Sequence, residues 1–100
     1  MPDIVTLGKY GCIYVNPRYT GTVEGYEVQV VDTTGAGDGF VAGLLFGVLE
    51  DDGSMQDESR LRTICKFANA VGALTTTRRG AIPALPTLKD VQNFMLEYPF

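Results

Sequence analysis

The chain has 100 residues, of which 45% are hydrophobic and 10% aromatic, and a formal net charge of −4. A chain of this length forms at most one small domain, which buries about two-thirds of its unfolded surface. The composition excludes extended disorder, and the acidic balance lacks the basic surface of a nucleic-acid binder. We expect neither a signal peptide nor a membrane span, and therefore a cytoplasmic protein.

The first third of the chain predicts strands. Residues 4–7 and 12–15 are short apolar runs, and residues 8–11 between them predict a tight turn. An ordinary hairpin accounts for this turn as well as a binding site does. Residues 16–25, rich in Pro, Thr and Gly, predict a loop, and residues 26–31 predict a third strand.

The chain contains two cysteines and no histidine. Cys12 lies in a predicted strand, and Cys65 lies on the apolar side of a predicted helix. This arrangement is typical of free buried thiols in a reducing compartment, and a disulfide between them stays open as an alternative. Two cysteines without histidine cannot complete a structural zinc site.

The most informative stretch is VVDTTGAGDGFVAGLLFGVL, residues 30–49. It predicts a strand that ends at Asp32, a glycine-rich turn, and a helix that begins near Ala36. The spacing of its apolar residues predicts one stripe along the helix. The members of this stripe are Phe40, Val41, Leu44, Leu45, Val48 and Leu49.

The glycine-rich turn predicts an anion site. The first N–H groups of a helix have no intrahelical partners and carry partial positive charge. Gly35 and Gly37 lack a Cβ, so a phosphate could approach the backbone there. Asp38 lies beside that position and would repel the anion itself, so its function is better explained by a hydroxyl that attacks phosphorus. A purely structural acid, stabilising the helix dipole, explains these residues equally well.

Two common phosphate-binding motifs are excluded. The P-loop requires a lysine after its second glycine, and none follows here. The dinucleotide fingerprint GxGxxG fails because Phe40 stands where its third glycine should be. A dinucleotide-dependent enzyme is therefore a disfavoured alternative.

Three segments resemble the PfkB/ribokinase family of carbohydrate kinases, and the fructokinases most of all. DTTGAGDGFVAGLL, residues 32–45, resembles the family's C-terminal signature. TLGKYG, residues 6–11, resembles its nucleotide-binding turn, and FANAVGALTTTRRGAIPALPT, residues 67–87, resembles the helix and loop that close the adenosine site. The resemblance implies an α/β fold, namely the C-terminal part of a ribokinase-like three-layer α/β/α fold with short strands and three helices.

The resemblance also implies a role for individual residues. Asp38 would contact the sugar hydroxyl and act as the catalytic base. The amides of the preceding turn would form the anion hole for the transferred phosphoryl group; these belong to Gly35, Ala36 and Gly37. The residues implied in nucleotide binding are Thr6, Gly8, Gly11, Gly37 and Asn69. By its pattern alone, Asn69 is an ordinary helix residue.

A monovalent-cation site, for K⁺, is implied next to the anion hole. It would be built mostly from backbone carbonyls, which leave little signature in side chains. The ligands by matched position are Asp32, Thr34, Thr75, Arg78, Gly80 and Ala84. Some relatives have serine where this chain has Ala84. ATP and Mg²⁺ are implied as well, with the Mg²⁺ ligands mostly outside this chain.

The second half of the chain predicts two further helices. An acidic cluster over residues 50–58 predicts a solvated connection, because its spacing does not match a calcium loop. Helical periodicity begins again at Glu58. Thr87 predicts the cap of a last amphipathic helix. The apolar residues assigned to that helix are Leu88, Val91, Met95 and Tyr98.

The resembled family is much longer than this chain, and its sugar-binding part, its lid and its NxxE segment have no counterpart here. We therefore expect residues 1–100 to be the C-terminal nucleotide-binding portion of an ATP-dependent fructokinase, inactive when isolated. Its expected partners are a small-molecule sugar and ATP, with no nucleic acid or membrane, and a homodimer for the full-length protein. The alternatives are a nucleotide-binding regulatory module without turnover, or a family kinase for ribose, ketodeoxygluconate or adenosine.

Overall fold

A computed structural model describes residues 3–7, 10–26, 36–50, 57–76 and 87–97. Over these ranges the chain forms three strands followed by three helices. The strands are β1 (Asp3–Thr6), β2 (Cys12–Val15) and β3 (Thr20–Val23); the helices are α1 (Ala36–Glu50), α2 (Glu58–Thr76) and α3 (Leu88–Glu97). The expected α/β class and the three helices are confirmed.

The strands form an antiparallel sheet in the order β1-β2-β3. The predicted pairing of the first two apolar runs is confirmed, with Ile4 opposite Tyr14 and Thr6 opposite Cys12. The backbone N–H of Leu7 donates to the carbonyl of Gly11 over 2.7 Å and closes the turn between these strands.

The predicted loop over residues 16–25 was wrong for residues 20–23, which form β3. Asn16 closes the turn before this strand, because its Oδ1 accepts from the backbone N–H groups of Arg18 and Tyr19. Gly21 lies opposite Tyr14, whose ring covers it. A strand that contains glycine and exposed threonines lacks the apolar alternation on which sequence prediction depends. Of the predicted strand over residues 26–31, all but Tyr26 lies outside the described residues.

Helices α1 and α2 pack closely and run antiparallel. Three glycines on one side of α1 face α2; they are Gly39, Gly43 and Gly47. A Cβ at Gly43 would lie 2.9 Å from Val71 Cγ2 and 3.0 Å from the Cα of Ala68. The absence of side chains at these positions therefore determines how near the two helices can approach.

The predicted apolar stripe of α1 is only half correct. Phe40 is buried and Leu44 is partly buried in the core. Val41, Leu45 and Leu49 are 52%, 53% and 84% exposed. The buried face is rotated toward the glycines, which carry no apolar side chain and so do not appear in a hydrophobic pattern.

The start of α2 uses two residues that the sequence assigned to a solvated connection. Asp57 caps the helix, since its backbone carbonyl and its Oδ1 accept from the N–H groups of Leu61 and Arg60. The carboxylate of Glu58 accepts a hydrogen bond of 2.6 Å from the hydroxyl of Tyr14, to which Arg62 also donates. Both residues are exposed, as a solvated connection requires, and α2 begins at Glu58, where the sequence predicts that helical periodicity resumes.

Helix α3 begins as expected at a capping box. The hydroxyl of Thr87 accepts from the N–H of Asp90, and the carboxylate of Asp90 accepts from the N–H of Thr87. Val91 and Phe94 are the buried residues of this helix, and the ring of Phe94 packs 5.1 Å from that of Tyr26. Of the residues predicted from the pattern, Leu88 is exposed, and Phe94 was not predicted.

Among the described residues the core forms two clusters. The first joins the sheet to α1 and α2, and its buried members are Cys12, Tyr14, Val23, Phe40, Leu61, Cys65 and Ala68. The second joins α2 to α3, and its buried members are Tyr26, Ala70, Val71, Val91 and Phe94. Within the described ranges, none of the helices has the length and apolar character needed to traverse a bilayer.

We expect Gly43→Val to lower the free energy of unfolding by about 3 kcal/mol, because the new side chain would push α1 away from α2. Ala42→Val is the matched control: it places the same side chain on the exposed side of the same helix and should cost less than about 1 kcal/mol. Urea denaturation followed by circular dichroism measures both values. Equal losses in the two variants would contradict the packing role of Gly43.

Candidate functional site: the first turn of helix α1

The first turn of α1 presents open backbone beside a carboxylate. The helix begins at Ala36, as predicted, and Asp38 lies in its first turn with an exposed side chain. No heavy atom lies within 4 Å of the point where a Cβ on Gly37 would be. Asp38 forms no hydrogen bond or ion pair with any residue in the described part of the chain. The turn therefore leaves open space beside an exposed carboxylate, and its predicted role as an anion site stays a prediction; Gly35 lies outside the described residues.

The position of this turn depends on the end of α2. A Cβ on Gly39 would lie 2.7 Å from the Oγ1 of Thr75, and the next residue, Phe40, enters the first core cluster. Thr75 is fully buried, and its hydroxyl donates to the carbonyl of Val71 over 2.8 Å. The structure thus brings Asp38 and Thr75 to the same end of the paired helices.

Thr75 is the one predicted cation ligand within the described residues. Its side chain is fully buried and its hydroxyl donates within the helix, whereas the predicted role uses its backbone carbonyl. That carbonyl belongs to the last turn of α2, where carbonyls have no partner within the helix. The other predicted ligands lie outside the described residues; they are Asp32, Thr34, Arg78, Gly80 and Ala84.

The side chains of the described ranges include no group of three or more His, Cys, Asp or Glu that could hold a metal ion.

Of the turn that was predicted to bind nucleotide, Thr6 and Gly11 lie in the described residues, and Gly11 is held tightly. Thr6 is exposed at the end of β1, whereas Gly11 is buried and has a φ of 100°. A Cβ on Gly11 would overlap the carbonyl oxygen of Val23 and would lie 2.6 Å from the backbone N of Gly25. Only glycine combines this φ with this contact. Gly8 lies outside the described residues.

Asn69 lies on α2 and is 7% exposed. Its Nδ2 donates to the carbonyl oxygens of Val23 and Glu24 over 3.3 and 3.2 Å. The donor side of its carboxamide is therefore engaged with the main chain after β3. Sequence patterns could not identify these partners, because they lie 46 and 45 residues away.

Polar groups between β2 and α2 have shifted pKa values. Burial, and then the hydrogen bond to Glu58, raise the pKa of Tyr14. The two cysteines are buried free thiols, as the sequence predicted. Their mutual hydrogen bond raises the pKa of Cys65, with burial adding to it, and lowers the pKa of Cys12.

A groove of about 660 Å³ runs along the first half of α2. Its lining residues are Val23, Glu58, Ser59, Arg62, Thr63 and Lys66, none of which was predicted as a site residue. The first turn of α1 packs against the opposite end of α2, so this groove is separate from the candidate anion site.

Comparisons with known proteins agree with this geometry. The model of the pfkB family of carbohydrate kinases matches residues 3–88. A probable fructokinase-3 from Arabidopsis thaliana is 51% identical over 92 residues, which are 92% of this chain and 27% of that protein. The chain thus spans about a quarter of the length of this relative.

Solved structures of fructokinases are also similar to this chain. The fructokinase of Xylella fastidiosa with bound ATP is 32% identical with a TM-score of 0.87, covering 94% of this chain and 31% of its own. A double mutant of the fructokinase of Vibrio cholerae O395, bound to fructose, ADP and a potassium ion, is 36% identical with a TM-score of 0.84. It covers 93% of this chain and 30% of its own.

We expect Gly11→Ala to destabilise the chain by about 3 kcal/mol or more, since alanine would strain at positive φ and overlap the main chain after β3. Gly37→Ala is the matched control, because the space around Gly37 is open and helix propensity favours alanine by about 1 kcal/mol. Urea denaturation compares the two. A Gly11→Ala chain as stable as the Gly37→Ala chain would contradict the assigned backbone geometry.

Proposed function

The chain belongs to the pfkB family of carbohydrate kinases, and on that premise we propose that it supplies the anion hole, catalytic base and nucleotide site of an ATP-dependent fructokinase. The observation that carries this proposal is the exposed carboxylate of Asp38 beside open backbone at the N-terminus of α1. A carboxylate placed there for structure alone would not require free space at Gly37.

In the proposed reaction, Asp38 accepts the proton of a sugar hydroxyl while that oxygen attacks the γ-phosphorus of ATP. A new bond forms between the sugar oxygen and phosphorus. The bond between the γ-phosphorus and the bridging oxygen breaks, and ADP leaves with the electron pair. The products are a sugar phosphate and ADP, and the proton rests on the carboxyl group of Asp38.

Backbone amides would stabilise the charge that develops on the transferred group. Ala36 and Gly37 begin α1, where the helix dipole adds to the effect of their N–H groups, and the N–H of Gly35 is proposed to act with them. Amides held in a helix need no reorganisation as charge develops, and removal of one such donor typically costs about 100-fold to 1000-fold in rate. The packing of Gly39 against Thr75 keeps this turn in place.

The proposal extends to substrate and ions. Fructose is the proposed sugar because relatives about 50% identical to this chain are named fructokinases. Mg²⁺ would accompany ATP through ligands outside the described residues. A K⁺ ion near Thr75 is supported by the position of its backbone carbonyl in the last turn of α2 and by the potassium in the Vibrio cholerae structure.

We further place the protein in the cytoplasm, where buried thiols such as Cys12 and Cys65 remain reduced. Its proposed partners are sugar and ATP, and the full-length protein is proposed to form a homodimer. Neither nucleic acid nor membrane is part of the proposal, since the net charge of −4 gives no basic surface for either.

Nucleotide binding is tested by titrating the ¹⁵N-labelled chain with ATP and, in parallel, with NAD⁺. We expect ATP to shift the amide signals of Gly37 and Asp38 and those of residues 6–11. NAD⁺ at equal concentration should leave them in place. Equal responses to both ligands would contradict a kinase site and favour a dinucleotide enzyme.

We expect Asp38→Asn to reduce turnover by at least about 100-fold with little change in ATP affinity, because it removes the base but not the anion hole. The measurement is ADP formation by a polypeptide that joins this sequence to the sugar-binding part of the enzyme. Glu50→Gln, at the other end of the same helix, removes an equally exposed carboxylate and should leave turnover unchanged.

Unchanged turnover in Asp38→Asn would remove this residue from the mechanism. ATP binding without any fructose-dependent ADP formation in the unmodified joined protein would instead favour a regulatory module without turnover.

A further inference from the structure

We propose that Asn69 is a positioning residue for the nucleotide turn: it holds the main chain at Val23 and Glu24, and that main chain holds Gly11. This inference rests on the proposed kinase function for its ligand, ATP. It assigns Asn69 an action through the backbone rather than a direct contact between its amide donor and the nucleotide.

Two hydrogen bonds to the main chain orient the carboxamide of Asn69. Asn69 is almost fully buried on α2, and its Nδ2 donates to the carbonyls of Val23 and Glu24 over 3.3 and 3.2 Å. A carboxamide has two N–H protons, so each carbonyl can receive one. These bonds tie α2 to the main chain at the end of β3, and the Asn69 side chain also forms a hydrogen bond with the thiol of Cys12.

Gly11 packs against the main chain of Val23 and Glu24. A Cβ on Gly11 would overlap the carbonyl oxygen of Val23 and would lie 2.8 Å from the carbonyl carbon of Glu24. Gly11 thus packs against the same two peptide groups that Asn69 binds. If these peptide groups shift, Gly11 must move with them or a void opens beside it.

Gly11 also forms the hydrogen bond that closes the turn between β1 and β2. Its carbonyl accepts the 2.7 Å hydrogen bond from the N–H of Leu7, which closes the turn after Thr6. Residues 6–11 are the segment proposed to lie along the nucleotide. The positions of Leu7 and Gly11 in this segment therefore depend on a side chain of α2 that need not touch the ligand.

The side chain at position 69 must donate hydrogen bonds to reach the carbonyls of Val23 and Glu24. In Asn69→Asp the side chain keeps its shape but loses both protons, and its negative charge faces two carbonyl oxygens. In Asn69→Ser the side chain is too short to reach either carbonyl, and no charge is introduced. The serine variant keeps the proposal testable where the aspartate variant does not fold.

Thr76→Val is the control. Thr76 is buried on the same helix to a similar degree, but its hydroxyl bonds locally to the carbonyl of Ala73. Its substitution removes a buried polar group without touching β3 or Gly11.

The test has two readouts, both made on the full chain. Amide hydrogen exchange at Leu7, without nucleotide, measures how firmly the turn is closed. Amide-shift titration with ATP measures affinity. We expect each Asn69 variant to speed exchange at Leu7 and to weaken ATP binding by about tenfold, the effect of about 1.4 kcal/mol of lost hydrogen bonding. Thr76→Val should leave both within about twofold, because a local helix bond is all it removes.

The possible results separate the explanations. Weaker ATP binding with unchanged exchange at Leu7 would overturn the proposal, because Asn69 would then contact the nucleotide directly. Faster exchange with unchanged ATP affinity would also overturn it, since the turn would then not determine binding. Failure of the unsubstituted chain to bind ATP would contradict the kinase function alone, while the exchange readout would still decide whether Asn69 holds the turn.

Discussion

The close approach of α1 to α2 is the contact on which the rest of the structure depends. It is possible because Gly39, Gly43 and Gly47 present bare backbone to α2. The helices run antiparallel, so the positive end of α1 lies beside the negative end of α2. The candidate anion site and the carbonyl of Thr75 thereby become neighbours. An arrangement of opposite partial charges at one end of a helix pair suits a phosphate and a cation together.

Hydrogen bonds between the sheet and α2 are the second set of contacts on which the structure depends. The sheet is small and antiparallel, and its residues Cys12, Tyr14 and Val23 enter the same core cluster as α1. Around this cluster, Glu58 and Arg62 bind the hydroxyl of Tyr14. Each such bond has a fixed direction, so together they determine how the sheet sits on the helix.

Local signals explain what could be predicted. The start of α1 followed from a glycine-rich turn and an apolar run, and the start of α3 from a threonine cap. β3 was missed because glycine and exposed threonine carry no apolar pattern, and it exists through pairing with β2. The buried side of α1 was misjudged because Gly43 makes contacts by having no side chain. Hydrophobic periodicity cannot register such a contact.

The sequence by itself determined the family, the helix starts and the placement of Asp38 in the first turn of α1, since these depend on residues adjacent in the chain. Tertiary structure alone decided which groups Gly11 and Asn69 meet. Val23 and Glu24 come to Asn69 from 46 and 45 residues away, and that distance is closed only when the sheet packs on α2. Contacts between distant segments depend on how the whole core packs, and no local sequence pattern encodes them.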